Sequence, residues 1–228
     1  MRLTLDDPPF AARTGQGVVV AVLDSGIHAE HPHVAGISGG ISFCAEVDDV
    51  VDRIGHGTAV AAAIRDHAPA TTLLAVKVFD RRLATNADVL ARAIVWSADN
   101  GAHLINLSLG TANATHIERL RAAVDYAAVR GSLVVSALEA NGTLLLPGSL
   151  QTVVGVHADW SLERHVVDAT PRDGGASTFT ASPYPRAIPG VPRERNLAGV
   201  SFAVANVTGF LARALESGAM AEIVYGRS

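Results

Sequence analysis

The chain holds one cysteine, Cys44, which excludes an internal disulfide and points to a reducing compartment. Its amino terminus, MRLTLDDPPFAARTG, carries acids and prolines where a secretory signal needs a basic start and an apolar run. A cytoplasmic location is therefore expected. No apolar run approaches the roughly 20 residues of a membrane span. The longest, such as GVVVAVL, have the length of a strand, so no membrane partner is expected. Basic charge is also scarce. The net charge is -4, the arginines are scattered rather than striped, and Lys77 is the sole lysine. That balance argues against nucleic acid as a partner. No internal repeat and no low-complexity linker divides the 228 residues. One domain over residues 1–228 is expected, long enough for a sizeable core.

Apolar runs of strand length fall at 17–24, 72–79, 103–109, 132–138 and 152–158. They alternate with segments of helical period at 57–67, 86–100, 116–130 and 199–215. Near-continuous apolar strands imply a sheet covered on both faces, and alternation with helices implies parallel crossovers. The expected fold class is α/β, a three-layer sandwich with a largely parallel central sheet. Functional residues in such sheets gather at the carboxyl ends of the strands and the helix starts that follow. The stretch 161–198, dense in Pro, Gly, Ser and Thr, reads as loops and short strands next to that edge.

Three positions at that edge carry chemistry. Asp24 closes the first apolar run in VVVAVLDSG, either starting a turn or holding an orienting carboxylate at the edge of the sheet. A dinucleotide site is excluded there because no G-x-G-x-x-G follows. His56, in IGHGTAVAAAI, is the one histidine of nine with glycine on both sides, which allows close backbone approach. Ser201, at the head of GVSFAVANVTGFLARAL, reads alone as a helix cap. Together the three supply an acid, an imidazole and a hydroxyl, the set that activates a serine as a nucleophile. His28, His31 and His33 form a cluster without a local Cys, Asp or Glu at ligand spacing, so no metal is expected.

The segments VAVLDSGIHAEHP, GHGTAVAAAI and GVSFAVANVTG resemble the aspartate, histidine and serine motifs of the subtilisin-type serine peptidases, the subtilases, and the resemblance extends over nearly the whole chain. It implies that Asp24 orients His56, that His56 is the general base and acid, and that Ser201 is the nucleophile, with its backbone N–H as one oxyanion donor. It further implies that Ser108, Leu109 and Gly110 bind an extended peptide by its backbone, and that SALEANG (136–142), with Ala137, walls the first side-chain pocket.

The sequence also departs from the family's pattern. Val200, Phe202 and Ala205 stand where the serine motif has Thr, Met and Pro. The calcium-binding insertion is missing between Ala68 and Leu73, and because the sequence starts almost at the catalytic core no pro-segment is expected. Aligned without a gap, Glu139 and Ala140 take the places of the family's Gly and oxyanion Asn, so Asn141 is expected to reach the oxyanion through a one-residue bulge. The function these features imply is a serine endopeptidase. It would cleave a specific peptide or precursor, for example by removing a leader, through an acyl-enzyme and without a cofactor. A partner protein from the same pathway is a further expectation. Two alternatives stand beside it: a catalytically silent domain that binds a peptide or partner, and an acyl-transfer variant using the same residues.

Overall fold

The computed structural model describes residues 1–44 and 47–226. The chain runs through β1 (Arg2–Thr4), β2 (Val19–Asp24), β3 (Gly39–Ser42), α1 (His56–His67), β4 (Thr72–Lys77), α2 (Ala87–Asp99), β5 (Leu104–Leu107) and α3 (Ile117–Val129). It continues through β6 (Leu133–Ala137), β7 (Glu139–Ala140), β8 (Thr143–Leu144), β9 (Val154–Ala158), β10 (Val166–Thr170), β11 (Thr178–Ala181), α4 (Val200–Ser217) and α5 (Met220–Tyr225).

The main sheet has the order β1-β10-β11-β9-β6-β5-β2-β4-β3. From β11 to β3 every neighbouring pair is parallel; at one edge the β11–β10 and β10–β1 pairs are antiparallel, so β10 alone runs against the other strands of this sheet. The parallel strands are apolar on both faces because helices cover both. Along β2 the side chains alternate: Val20 and Val22 pack with Ile64, Phe210 and Leu211 on the α1–α4 side. Ala21 and Leu23 pack with Leu90, Ile94, Leu120 and Val124 on the α2–α3 side. The result is the α/β sandwich expected from the alternating runs.

Helix starts and stops follow local rules. The Asn86 side chain caps α2 by accepting the Val89 N–H at 3.0 Å, and α4 ends at Gly218 in the left-handed region (φ 80°). The stretch 161–198 contributes β10, β11 and a short 3-10 turn at Arg193–Arg195 and is otherwise irregular, as its composition implied. A separate two-stranded hairpin, β7–β8, follows β6.

Candidate active site

The carboxyl end of β2, the amino end of α1 and the amino end of α4 meet at one edge of the sheet. Asp24 is the last residue of β2, His56 the first of α1, and Ser201 the second of α4. Both glycines around His56 have a structural reason. Gly55 sits at φ 88°, where a side chain is strained, and a Cβ on Gly57 would lie 2.1 Å from the Gly26 carbonyl oxygen and 3.1 Å from Asp24 Cβ. That close approach brings α1 against β2, so His56 Nδ1 lies 2.8 Å from Asp24 Oδ1.

The Asp24 side chain is fully buried, whereas His56 is 19% exposed. An ionised carboxylate only accepts, which assigns the proton to Nδ1 and leaves the Nε2 lone pair free. Burial of the ring opposes its charging. The hydrogen bond and charge of Asp24, with the charge of Asp52, outweigh that, so His56 keeps its proton to higher pH than an ordinary histidine. The Phe202 ring stands 5.7 Å from the imidazole, between centroids.

Ser201 Oγ donates to the Ser108 carbonyl at 3.0 Å, its one hydrogen bond among the described residues. Ser108 is held in turn. Its hydroxyl accepts from Asn106 Nδ2 at 2.9 Å and donates to the Ser201 carbonyl at 3.3 Å, while Asn106 Oδ1 accepts from Thr208 Oγ1 at 3.0 Å. This buried chain of polar groups locks the segment after β5 to α4. Ser201 and His56 line one cleft of about 380 Å³ with Ser108, Leu109, Gly110, Phe79 and Leu90. The amide and carbonyl of Gly110 have no hydrogen-bond partner among the described residues, so this edge can pair with an extended peptide. Gly110 is also required by its own neighbours, because a Cβ there would lie 2.9 Å from Leu145 Cβ.

Two expected site residues are placed otherwise. Ala137 is fully buried in the core on the α1–α4 side, because β6 turns Val135 and Ala137 to that face. Asn141 needs no bulge. Glu139 pairs with Leu144 and Ala140 with Thr143, so Asn141 and Gly142 form a regular two-residue hairpin turn with φ 51° and 74°. The Asn141 side chain is exposed at that tip and has no hydrogen-bond partner among the described residues. Glu139 lies 3.5 Å from His157 Nδ1. The His31 ring stands edge-on to those of His28 and His33, and no group of three His, Cys, Asp or Glu able to hold a metal occurs among the described residues.

Sequence reading missed Ser25 and Asp52. Ser25 Oγ lies 3.2 Å from Asp24 Oδ1, and Asp52 accepts from Ser25 Oγ at 2.8 Å. Burial raises the proton affinity of Asp52, but donors from Thr58, Ile54 and Gly55 outweigh it and hold the carboxyl below the usual range. The available signal was an acid four residues before His56, ahead of a helix start.

Residues 15–180 match the Subtilase family. Thermitase of Thermoactinomyces vulgaris is 31% identical over 223 residues, covering 87% of this chain and 76% of that protein. A thermophilic serine proteinase of Bacillus sp. (strain AK1) is 37% identical over 155 residues, covering 62% of this chain. The match spans only 38% of that proteinase, less than half its length. Among solved structures, a lanthipeptide protease superposes with a TM-score of 0.73 at 21% identity, over 92% of this chain and 76% of that one. The prenylagaramide maturation protease PagA superposes with a TM-score of 0.63 at 27% identity, over 88% and 75%. No helix among the described residues is long and apolar enough to cross a membrane.

Proposed function

The chain belongs to the Subtilase family, and on that premise we propose that it is a serine peptidase with Ser201 as nucleophile, His56 as general base and acid, and Asp24 as the group that orients His56. The observation that carries this reading is the 2.8 Å contact between His56 Nδ1 and the buried Asp24 carboxylate, with Ser201 in the same cleft.

The reaction follows from these positions. Ser201 Oγ turns from the Ser108 carbonyl to His56 Nε2, gives up its proton and attacks the carbonyl carbon of a peptide laid along Ser108–Gly110. Negative charge develops on the carbonyl oxygen. The Ser201 N–H, in the first turn of α4, has no intrahelical acceptor and donates to it. His56, now an imidazolium paired with Asp24, passes its proton to the leaving amine. Water deprotonated by His56 then hydrolyses the acyl-enzyme and restores Ser201. Attack by a peptide amine instead of water would join chains with the same residues.

The substrate is a peptide or protein, and the reading extends to a specific precursor, as in leader removal. The similarity to the prenylagaramide maturation protease PagA supports that class. The single cysteine, Cys44, fits a cytoplasmic setting. The test is cleavage of a pool of leader-bearing precursor peptides, read as new termini by mass spectrometry. Discrete cuts made by the wild type and lost in Ser201→Ala support the reading; cuts that persist in Ser201→Ala overturn it.

A further inference from the structure

Asp52 is a second carboxylate behind the Asp24–His56 pair. Its two oxygens accept five hydrogen bonds. Oδ1 takes Ser25 Oγ at 2.8 Å, the Ile54 amide at 2.9 Å and the Gly55 amide at 2.8 Å. Oδ2 takes the Thr58 amide at 2.8 Å and its hydroxyl at 2.6 Å. All five donors are neutral. The nearby cations are engaged elsewhere: Lys77 Nζ binds the Val51 carbonyl and Asp80, and Arg53 binds Asp49 and Asp80. No cation pairs with Asp52 among the described residues, and its negative charge sits at the amino end of α1, where a helix favours an anion and where His56 is the first residue.

Ser25 links the two carboxylates. Its fully buried hydroxyl accepts the Gly57 amide at 3.0 Å and has one proton to give. Asp52 Oδ1 lies at 2.8 Å and Asp24 Oδ1 at 3.2 Å, so the shorter contact takes the proton. A donor withheld from Asp24 leaves that oxygen a stronger acceptor for His56 Nδ1–H.

We propose that Asp52 is a positioning residue that sets the proton affinity of His56, by drawing the Ser25 proton away from Asp24 and by placing an unpaired negative charge at the start of α1. It touches no substrate. The charged groups acting on His56 are Asp24 from β2 and Asp52 from the loop before α1; α4 presents the uncharged Phe202 and Ser201, and one further titratable side chain, His116 just before α3, lines the same cleft. Both effects have the same sign, so loss of Asp52 makes the imidazolium less stable and His56 deprotonates at lower pH.

This inference rests on the triad reading only for its catalytic consequence. It is tested by NMR titration of His56 in the full chain, assigned with His56→Gln. Asp52→Asn is expected to shift the His56 midpoint to lower pH, with a smaller shift when Ser25→Ala is already present. Thr58→Val, which removes one hydrogen bond to Asp52 but leaves its charge, is expected to lower the melting temperature without moving the midpoint. An unmoved His56 midpoint in Asp52→Asn, with a lower melting temperature, would reduce Asp52 to a helix cap and overturn the proposal. An equal shift with and without Ser25 would overturn the relay. If Asp52→Asn does not fold, Asp52→Ser keeps a capping oxygen without the charge, and the same outcomes apply. A shifted midpoint in a protein that cleaves nothing separates this inference from the peptidase reading.

Discussion

Ser201 and Ser108 hold each other. Ser201 Oγ donates to the Ser108 carbonyl at 3.0 Å, and Ser108 Oγ donates to the Ser201 carbonyl at 3.3 Å. In this resting arrangement the hydroxyl of Ser201 is parked on the edge that would receive a peptide, and binding there would compete for the Ser108 carbonyl. Ser108→Ala keeps that carbonyl but removes the acceptor of Asn106 Nδ2 in a buried network. A loss of roughly 1–3 kcal/mol of stability is expected, with fluorophosphonate labelling of Ser201 slowed by less than about tenfold. Chemical denaturation and labelling kinetics measure both; unchanged stability would show that the network carries no weight.

The turn geometry at Asn141 makes a separable prediction. Asn141→Gly preserves a positive φ and removes the amide, so activity is expected to stay within about threefold of wild type, under 1 kcal/mol in barrier. Asn141→Ala puts at φ 51° a residue that tolerates the left-handed region less well than Asn, and is expected to cost roughly 1 kcal/mol of stability. A drop in rate of roughly 10²–10³-fold in Asn141→Gly would restore the oxyanion role that the sequence alone had implied.

Acid stability depends on His67, the last residue of α1, which is 4% exposed. Burial, with Arg164 and Arg213 adding, lowers its pKa from the ordinary 6.5 to about 3. The unfolded chain binds a proton below pH 6.5 and the folded chain does not. The stability is therefore complete above about pH 6.5 and declines by about 1.4 kcal/mol per pH unit as the pH falls toward 3. Urea unfolding at pH 6.5 and 5.0 is expected to differ by about 1.6 kcal/mol more in wild type than in His67→Gln. Equal pH dependence in the two proteins would contradict it.

Removal of divalent ions is expected to change neither the melting temperature nor the labelling rate. Only residues 68–71 join α1 to β4, too few for a calcium-binding insertion. A fall in melting temperature on adding a chelator would place a metal elsewhere in the chain.

Legibility followed burial. β2, β4, β5, β6 and β9 lie between two helical layers and so read as apolar runs, and the strand end at Asp24 and the helix starts at His56 and Ser201 could be read from the same alternation. The edge strands β1 and β3 were not legible, because they are short and partly exposed; β3 is Gly-Gly-Ile-Ser. Ala137 lies on the expected strand, but that its side chain enters the α1–α4 core is decided only by the packing of β6. The Asn-Gly pair at 141–142 is a strong hairpin signal in itself. It was outweighed by the family's Asn one residue earlier in the alignment. Asp52 was hidden because its partners, Ser25 and Thr58, come together only when α1 docks on β2.

The central claim is that Ser201 is a nucleophile activated by His56. The most direct measurement is reaction of the purified chain with a fluorophosphonate, with the adduct mapped by tandem mass spectrometry and the rate followed against pH. The account predicts a single adduct on Ser201, lost in Ser201→Ala and in His56→Ala, with a rate that rises as His56 loses its proton. Labelling that is absent from the folded wild type, or that persists undiminished in His56→Ala, would contradict it.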